Sequence, residues 1–213
     1  MKFAVHTKVK SGTKSRLLFP SPSFTRRPSW LLFAIPLLLV WGALQPVLAQ
    51  GEPPSEYEVK AAFLYNFAKF VEWPASALPS EHSPLVIGIL GEDPFGHFLD
   101  DVVRGKNVNG HEFRILRSQR LEDLKDCQIL FISSSENRHL SELLESLAGK
   151  SILLVGETGT FAQLGGTIDF VLQENHVRFK VNVDAAGRAR LKISSKLLAL
   201  AEVVRDDPRR SKD

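Results

Sequence analysis

Short runs of aliphatic residues, each followed by turn residues and then by a helical pattern, constrain the fold more than any other feature of this chain. Three of them, residues 85–90, 129–132 and 152–155, are almost continuous in Val, Ile, Leu and Phe, as expected for strands buried on both faces. A fourth run, 112–116, alternates apolar and polar residues, which indicates a strand nearer an edge. Repeated strand–helix–strand units require parallel crossover connections. The sequence therefore predicts a single α/β domain with a mostly parallel sheet flanked by helices.

The C-terminal part of the chain predicts an antiparallel addition to this sheet. Two strand-like segments, residues 167–172 and 177–183, flank the polar connection 173–176, whose asparagine favours a turn. We therefore predict a C-terminal antiparallel hairpin. A capping-box pattern at Ser55 and Glu58 marks the start of the first helix. The predicted helical segments are residues 56–73, 94–103, 121–125 and 137–148, with a closing helical region from Asp184 that restarts near Ser194 and includes the apolar stretch 197–204.

The first 49 residues differ in charge from the remainder. They contain seven of the 27 Lys and Arg residues and none of the 24 Asp and Glu residues, so residues 50–213 carry 20 basic and 24 acidic side chains. The basic pI of 9.0 therefore belongs to the N-terminal segment, and the body is mildly acidic. This distribution removes the electrostatic argument for nucleic-acid binding, so we expect no nucleic-acid partner.

The same N-terminal segment is typical of a secretory signal. A basic stretch precedes the apolar run 30–44, and Val47 and Ala49 stand at the −3 and −1 positions of a cleavage site. We predict cleavage after Ala49 and a periplasmic body. An uncleaved membrane anchor is the alternative, because residues 30–48 are about 19 in number and could just span a bilayer. The predicted organisation is a signal peptide at 1–49, an extended lead-in at 50–55, an α/β domain at 56–205 and a charged tail at 206–213.

Residue types that carry catalysis are present but are not arranged in a recognisable motif. The single cysteine, Cys127, excludes an intrachain disulfide and a Cys-cluster zinc site, and its place before a buried strand predicts a packed thiol. The histidines lack metal-ligand spacing, and no G-x-S-x-G elbow is present. Gly91 and Gly96 are spaced as in a phosphate loop, but the Lys-Ser/Thr pair that should follow is missing, so Asp93 is better explained as a helix cap. We predict no enzymatic activity, no cofactor and no metal site.

Polar residues follow three of the predicted parallel strands. Because the carboxyl ends of such strands share one edge of the sheet, where open α/β sheets bind ligands, we expect these residues to meet in a crevice. Hydroxyls, carboxylates and helix-start amides suit a small polar or phosphorylated ligand; the alternative is that the Ser and Thr residues only cap helices. The candidate ligand-binding residues are Gly91, Asp93, Ser133, Ser134 and Glu157.

Two positions near the predicted hairpin have structural interpretations. The pair Gly165-Gly166 precedes a strand and indicates a tight turn or a close backbone approach. Asn182, at the end of the last predicted strand, is expected either to bond the backbone across the crevice or to close the turn into Asp184.

Several segments of the body resemble the YfiR-like family, formerly a domain of unknown function. The most specific match is the helix signature AAFLYNFAKFVEWP at residues 61–74, and the resemblance covers residues 57–204. The other matching segments are residues 87–91 with 93–95, 127–133, 165–170, 179–182 and 191–198.

This resemblance implies a secreted, periplasmic α/β protein that is often dimeric and is not a known enzyme. The best-understood member of the family binds the periplasmic sensor domain of a membrane diguanylate cyclase, which lowers cyclic-di-GMP output and biofilm formation. An outer-membrane lipoprotein sequesters that member, and disulfides make it redox-sensitive. This chain departs from the last feature, because Cys127 stands alone.

The expected function is that of a periplasmic regulator that docks on the extracytoplasmic domain of a membrane diguanylate cyclase or sensor kinase. A periplasmic small-ligand receptor that uses the crevice is the alternative. Two-thirds of the first helix is apolar, so this helix is either buried in the core or part of an interface. The candidate partner-binding residues, near its predicted exposed edge, are Tyr65, Lys69, Glu72 and Trp73.

Overall fold

A computed structural model describes residues 54–80 and 82–206 of the chain. The predicted signal peptide, most of the lead-in and nearly all of the charged tail lie outside the described residues. The strands are β1 (Val71–Glu72), β2 (Leu85–Leu90), β3 (Asn107–Val108), β4 (His111–Ser118), β5 (Ile129–Ile132), β6 (Leu153–Gly156), β7 (Ile168–Gln173), β8 (His176–Asn182), β9 (Lys192–Ile193) and β10 (Glu202–Val204). The helices are α1 (Glu56–Phe70), α2 (Phe98–Val103), α3 (Leu140–Leu147), α4 (Val183–Arg188) and α5 (Ser195–Leu198), with 3-10 turns at Leu121–Leu124 and Ser134–His139.

The main sheet of the described region has eight strands in the order β10-β8-β7-β6-β5-β2-β4-β3. Strand β2 pairs in parallel with both β4 and β5, and parallel pairing continues from β5 through β6 to β7. Strands β7 and β8 form an antiparallel hairpin, and β10 adds in parallel to the outer side of β8. The predicted α/β class, the mostly parallel sheet and the C-terminal hairpin are confirmed.

The six predicted strands are present in the structure, because each of them is marked by a local run of apolar or alternating residues. Strands β2 and β5 begin and end where predicted, and all of their residues are buried. The hairpin turn is shorter than predicted, since Gln173 pairs with His176 and leaves the two-residue turn Glu174-Asn175, with φ of 49° and 62°. Positive φ at both central residues matches the right-handed twist of the flanking strands.

Helix α1 begins as predicted and ends early. The Ser55 hydroxyl accepts the Glu58 amide hydrogen, and the Glu58 carboxylate accepts the Ser55 amide hydrogen, so the capping box is confirmed. The helix ends at Phe70, three residues before the predicted end, because the next two residues form β1 and pair with β9 in a separate antiparallel sheet. Pairing with a distant segment therefore sets this boundary.

The prediction of a helix over residues 94–103 is wrong for its first turn. The Asp93 Oδ1 atom accepts the Phe95 amide hydrogen at 2.8 Å, so this aspartate caps a turn and not a helix. Gly96 follows with φ of 54°, a left-handed conformation that interrupts any helical path. Helix α2 consequently begins only at Phe98.

The closing helical region also requires a correction. Helix α5 begins at Ser195, close to the predicted restart, but the end of the apolar stretch that follows is a strand. This strand, β10, places Val203 opposite Val181 of β8. The two consecutive β-branched valines suit an extended edge strand once β8 offers unpaired backbone groups.

Helix α1 covers the hairpin end of one sheet face. Its Phe67 is fully buried, and the rings of Phe170 in β7 and Phe179 in β8 lie 5.7 and 5.2 Å from the Phe67 ring. On the opposite face, three leucines of α3 belong to a second buried cluster that also contains Phe161. The aromatic side chains make a large contribution to both layers, because each ring buries roughly 150–250 Å².

The Phe161 ring lies between two glycines of the β6–β7 connection. A Cβ atom on Gly166 would fall 2.0 Å from the ring atom Cε1, and one on Gly156 would fall 2.3 Å from Cδ2. The neighbouring Gly165 has φ of 108°, which favours glycine. The predicted tight turn and close backbone approach at Gly165-Gly166 are confirmed.

Cys127 is a buried thiol, as predicted. Only 2% of the residue is exposed, and burial raises the pKa of its thiol to about 12. At pH 8 the thiolate fraction is on the order of 10⁻⁴, so the nucleophilic form is nearly absent. We expect iodoacetamide to leave the folded protein unlabelled under conditions that label the urea-unfolded chain, as measured by intact mass. Equal labelling of both states, or a Cys127-linked dimer on a non-reducing gel, would contradict this expectation.

Candidate functional site

The loops after β2 and β5 meet where the strand order reverses, which is the usual position of a ligand crevice. The Glu92 amide donates to Ser135 Oγ at 3.0 Å, and a Cβ atom on Gly91 would lie 2.3 Å from the same oxygen. Ser133 is buried, and its hydroxyl accepts the Ser135 amide hydrogen at 3.4 Å. Side chains of the protein itself therefore fill this part of the crevice.

Asp93 lies in the same loop and is held by an arginine of β4. The Arg117 Nε atom donates to the Asp93 carboxylate at 2.6 Å. The same guanidinium donates to Asp100 at 2.5 Å and to the Gly96 carbonyl at 3.1 Å. Sequence reasoning missed Arg117, because its role depends on the pairing of β4 with β2.

Glu157, the last candidate ligand-binding residue, forms a buried ion pair with α1. Its carboxylate lies 2.6 Å from Lys60 Nζ, and only 6% of each side chain is exposed. The Lys60 ammonium also lies 2.5 Å from Glu56 Oε1 and 4.6 Å from the centre of the Tyr57 ring. Burial alone lowers the pKa of Lys60, but the hydrogen bonds and charges of the two glutamates outweigh it and raise that pKa.

The structure thus separates the five candidate ligand-binding residues by what they contact. Gly91 lies against the loop that follows β5, where Ser133 is buried and Ser134 is exposed. Asp93 pairs with Arg117, and Glu157 pairs with Lys60. Ligand binding in this crevice stays a prediction. Lys60 was not identified from the sequence, since it lies 97 residues from Glu157 and inside an apolar helix pattern.

Two buried polar side chains hold the connection between β6 and β7. Asp169 accepts the Gly159 amide hydrogen at 3.1 Å, and burial raises the pKa of its carboxyl. Asn182 caps α4 by accepting the Asp184 and Ala185 amide hydrogens, and its amide nitrogen donates to the Ala162 carbonyl at 2.7 Å. The predicted role of Asn182 in closing the turn into Asp184 is confirmed, whereas its bond to Ala162 does not cross the crevice, because β8 runs antiparallel to the strands that end there.

The four candidate partner-binding residues lie at the C-terminal end of α1 and just beyond it. Tyr65 is half-buried and packs on the Phe113 ring at 5.7 Å. Trp73 is also half-buried, and its indole nitrogen donates to the Gln128 carbonyl at 3.0 Å. Lys69 and Glu72 are exposed. The charged members of the set are therefore the more accessible ones, and the aromatic members also support the fold.

A shallow groove of about 380 Å³ lies beside Lys69 and Glu72. It separates the end of α1 from β9 and the start of α5. We call it the basic groove, because three lysines line it. Its lining residues are Lys69, Phe70, Glu72, Lys192, Ile193, Ser194 and Lys196. Sequence reasoning found only two of these residues, since Phe70 belongs to the apolar pattern of α1 and the other four reach the groove through the pairing of β9 with β1.

A second cavity, of about 470 Å³, lies on the opposite side of the sheet between α3, the β6–β7 connection and α4. Its floor contains leucines of α3 and the buried Thr167. At its rim, Arg188 forms an ion pair with Asp206. Glu145 and Lys150 also line this cavity, so its walls carry charges of both signs.

Two kinds of feature are absent from the described residues. Across residues 54–80 and 82–206, no three His, Cys, Asp or Glu side chains are grouped so that they could hold a metal ion. Within the same residues, no helix has both the length and the apolar character needed to cross a bilayer. The apolar run predicted as a signal or anchor lies outside this region.

Comparison with known proteins identifies the family. The YfiR/HmsC-like family profile matches residues 57–202, which is most of the chain and nearly all of the described region. This protein belongs to the YfiR/HmsC-like family. The resemblance carried by the helix signature in α1 is therefore confirmed, and α1 contributes both Lys60, just before the signature, and one wall of the basic groove.

A solved structure is also similar in outline. It is a conserved domain protein from Vibrio cholerae O1 biovar eltor, with 10% sequence identity and a TM-score of 0.45. The alignment covers 72% of this chain and 60% of the other chain. The present chain thus spans less than two-thirds of that protein.

Proposed function

We propose that this YfiR/HmsC-like protein is a periplasmic regulator that binds the extracytoplasmic domain of a membrane signalling protein, and that it has no enzymatic activity. The partner is a diguanylate cyclase or a sensor kinase, and binding to a cyclase lowers cyclic-di-GMP. Family membership supports this class of function. Such a regulator acts by stoichiometric binding, because its differential affinity for two states of the partner sets the size of the response.

The exposed end of α1 supports a docking role most directly. Lys69 at this end and Glu72 in β1 just beyond it are exposed and form no ion pair in the described region, next to the basic groove. The opposite end of the same helix is different, because Lys60 there is buried in its ion pairs. Glu56 at that end is exposed but already paired with Lys60, so the exposed charge of α1 that has no ion pair in the described region lies at its C-terminal end.

In the native host, we would test this role by site-specific photocrosslinking of the full-length chain. A photoreactive residue at position 69 or 72 is expected to capture a membrane diguanylate cyclase or sensor kinase, identified by mass spectrometry. Glu145 is the control position, since it is exposed on α3 across the sheet. Deletion of the gene should raise cyclic-di-GMP if the partner is a cyclase. Absence of any membrane signalling protein from the captured species would overturn the proposal.

The alternative function, a receptor for a small polar or phosphorylated ligand, makes a separate prediction. Such a ligand would raise the melting temperature through mass action. A thermal-shift screen of nucleotides and amino acids against the purified protein would detect it. A regulator that works by docking alone predicts no shift.

A second copy of the chain and an outer-membrane lipoprotein are further partners under this proposal, in line with the family resemblance. Crosslinked species from the same experiment would include them. Their capture in addition to a signalling protein would be compatible with the proposed function.

A further inference from the structure

The basic groove holds three lysines whose charges are not neutralised. Lys69, Lys192 and Lys196 are exposed, and none of them forms an ion pair with the described residues. Glu72 is the one carboxylate among the lining residues of this groove, and it lies opposite Lys192 in the β1–β9 pairing. Even so, no ion pair joins these two side chains, so the groove retains a net positive charge.

Some cations of the described region are paired with carboxylates, whereas others, such as Lys125 and Arg138, are exposed without an ion pair. Lys60, Arg117 and Arg188 each pair with carboxylates, as do several exposed arginines. Residues 50–213 carry more acidic than basic side chains, so carboxylates are plentiful on this body. Three unpaired lysines in one depression therefore form a local field that an anionic partner would neutralise.

The positive charge continues beyond the groove along α1. Tyr65 has Lys69 Nζ 5.4 Å from its ring centre and Lys106 Nζ 4.7 Å from it. Lys106 is exposed and comes from the segment just after α2. The four lysines thus come from four different segments of the chain, and several charges on separate segments suit an extended acidic chain better than a single small anion.

The floor of the groove is partly apolar. Phe70 and Ile193 line it and are half-buried. An extended peptide alternates its side chains between two faces, so acidic residues could meet the lysines while intervening residues lie on the apolar floor. A lipid bilayer would match this shape poorly, because a flat surface does not reach the bottom of a depression. The large apolar side chains that are most exposed, Leu172, Leu200 and Val203, do not line the groove.

We propose that the basic groove binds an extended, acidic segment of the signalling partner. The inference rests on the proposed function, in that the segment belongs to the extracytoplasmic domain on which this protein docks. Lys192 and Lys196 are the main determinants, with Lys69 at the opposite wall. Neutralisation of acidic side chains makes the interaction dependent on salt.

The direct test measures binding of a fluorescent 12-residue peptide that alternates Glu and Ala to the purified protein by anisotropy. The double variant K192Q/K196Q is expected to bind at least tenfold more weakly than the wild type. The matched control K125Q/R138Q removes the same charge from exposed residues that do not line the groove, and it should bind within twofold of the wild type. A peptide with Gln in place of Glu should not bind.

Three results would overturn the inference. The first is the absence of Glu-peptide binding by the wild type, and the second is an equal loss of peptide affinity in both double variants. The third is wild-type binding to vesicles with anionic lipids that is stronger than binding to the peptide and is lost in K192Q/K196Q. Photocrosslinking from position 72 shows whether the acidic-segment inference alone fails or whether the proposed function fails as well. If the signalling partner is captured equally from wild type and K192Q/K196Q, docking stands and the acidic-segment inference fails. If no signalling partner is captured from either, the proposed function itself fails.

Discussion

Replacement of Lys60 by methionine is expected to lower the free energy of unfolding by about 3–5 kcal/mol, because it leaves a buried carboxylate without its partner. Only 4% of Lys60 is exposed, and Glu157 Oε2 lies 2.6 Å from its ammonium group. Methionine keeps much of the apolar stem but cannot donate to Glu157. Urea denaturation at pH 7, followed by circular dichroism, would give the difference.

The double variant K60M/E157Q is the informative control for this prediction. It removes the unpaired charge, so it should recover part of the loss, although the glutamine amide still needs a partner. A second control, Lys125→Met, alters an exposed lysine and should change stability by less than about 0.5 kcal/mol. A K60M loss as small as the K125M loss would refute the ion-pair argument.

The Lys60–Glu157 ion pair also predicts how the stability of the protein changes at alkaline pH. The folded-state pKa of Lys60 is raised, so its stabilising contribution is complete below the unfolded pKa of about 10.4 and falls as pH rises through the folded pKa. The stability difference between wild type and K60M should therefore be constant from pH 7 to about pH 9. It should narrow only at higher pH.

Replacement of Gly166 by alanine is the second substitution with a large expected effect. The new methyl carbon would lie 2.0 Å from the Phe161 ring, which is fully buried. The ring cannot move away freely, since Gly156 at the end of β6 approaches its opposite edge. Overpacking of this kind costs about 3 kcal/mol, and the measured free energy of unfolding should fall by that amount.

Gly187→Ala is the matched control for this substitution. A Cβ atom there would meet no heavy atom within 4 Å, and the residue lies in α4. Alanine is a better helix former than glycine, so this variant should be as stable as the wild type or up to about 1 kcal/mol more stable. The pair G166A/F161L should recover part of the loss, because leucine frees space at the contact. Equal stability of G166A and G187A would show that the close approach does not constrain the fold.

Family membership indicates a class of function, whereas the α1 surface indicates which residues to mutate first. Membership of the YfiR/HmsC-like family is consistent with a signalling regulator, whereas a surface for a partner has to be sought among particular exposed side chains. Of the predicted surface residues, Tyr65 and Trp73 contact Phe113 and Gln128 and so support the fold. Lys69 and Glu72 are accessible, and mutagenesis aimed at binding should therefore begin with the charged pair.

The sequence alone determined the α/β class, most strands and the start of α1. Strands such as Ile129–Ile132 are local runs of buried residues, and the Ser55–Glu58 capping box is a local hydrogen-bond pattern, so neighbouring residues contain the necessary information. The family signature at residues 61–74 is likewise continuous in sequence. These features depend on short-range periodicity and capping, which do not require knowledge of the rest of the chain.

Tertiary structure alone decided which charges are paired and which remain free. Lys60 meets Glu157, 97 residues away, because α1 packs over the sheet near the end of β6. Lys192 and Lys196 face Lys69 because β9 pairs with β1, and this pairing also ends α1 at Phe70. Strand β10 exists because β8 offers a free edge. Each of these outcomes depends on contacts between distant segments, for which the local pattern of apolar and polar residues carries no signal.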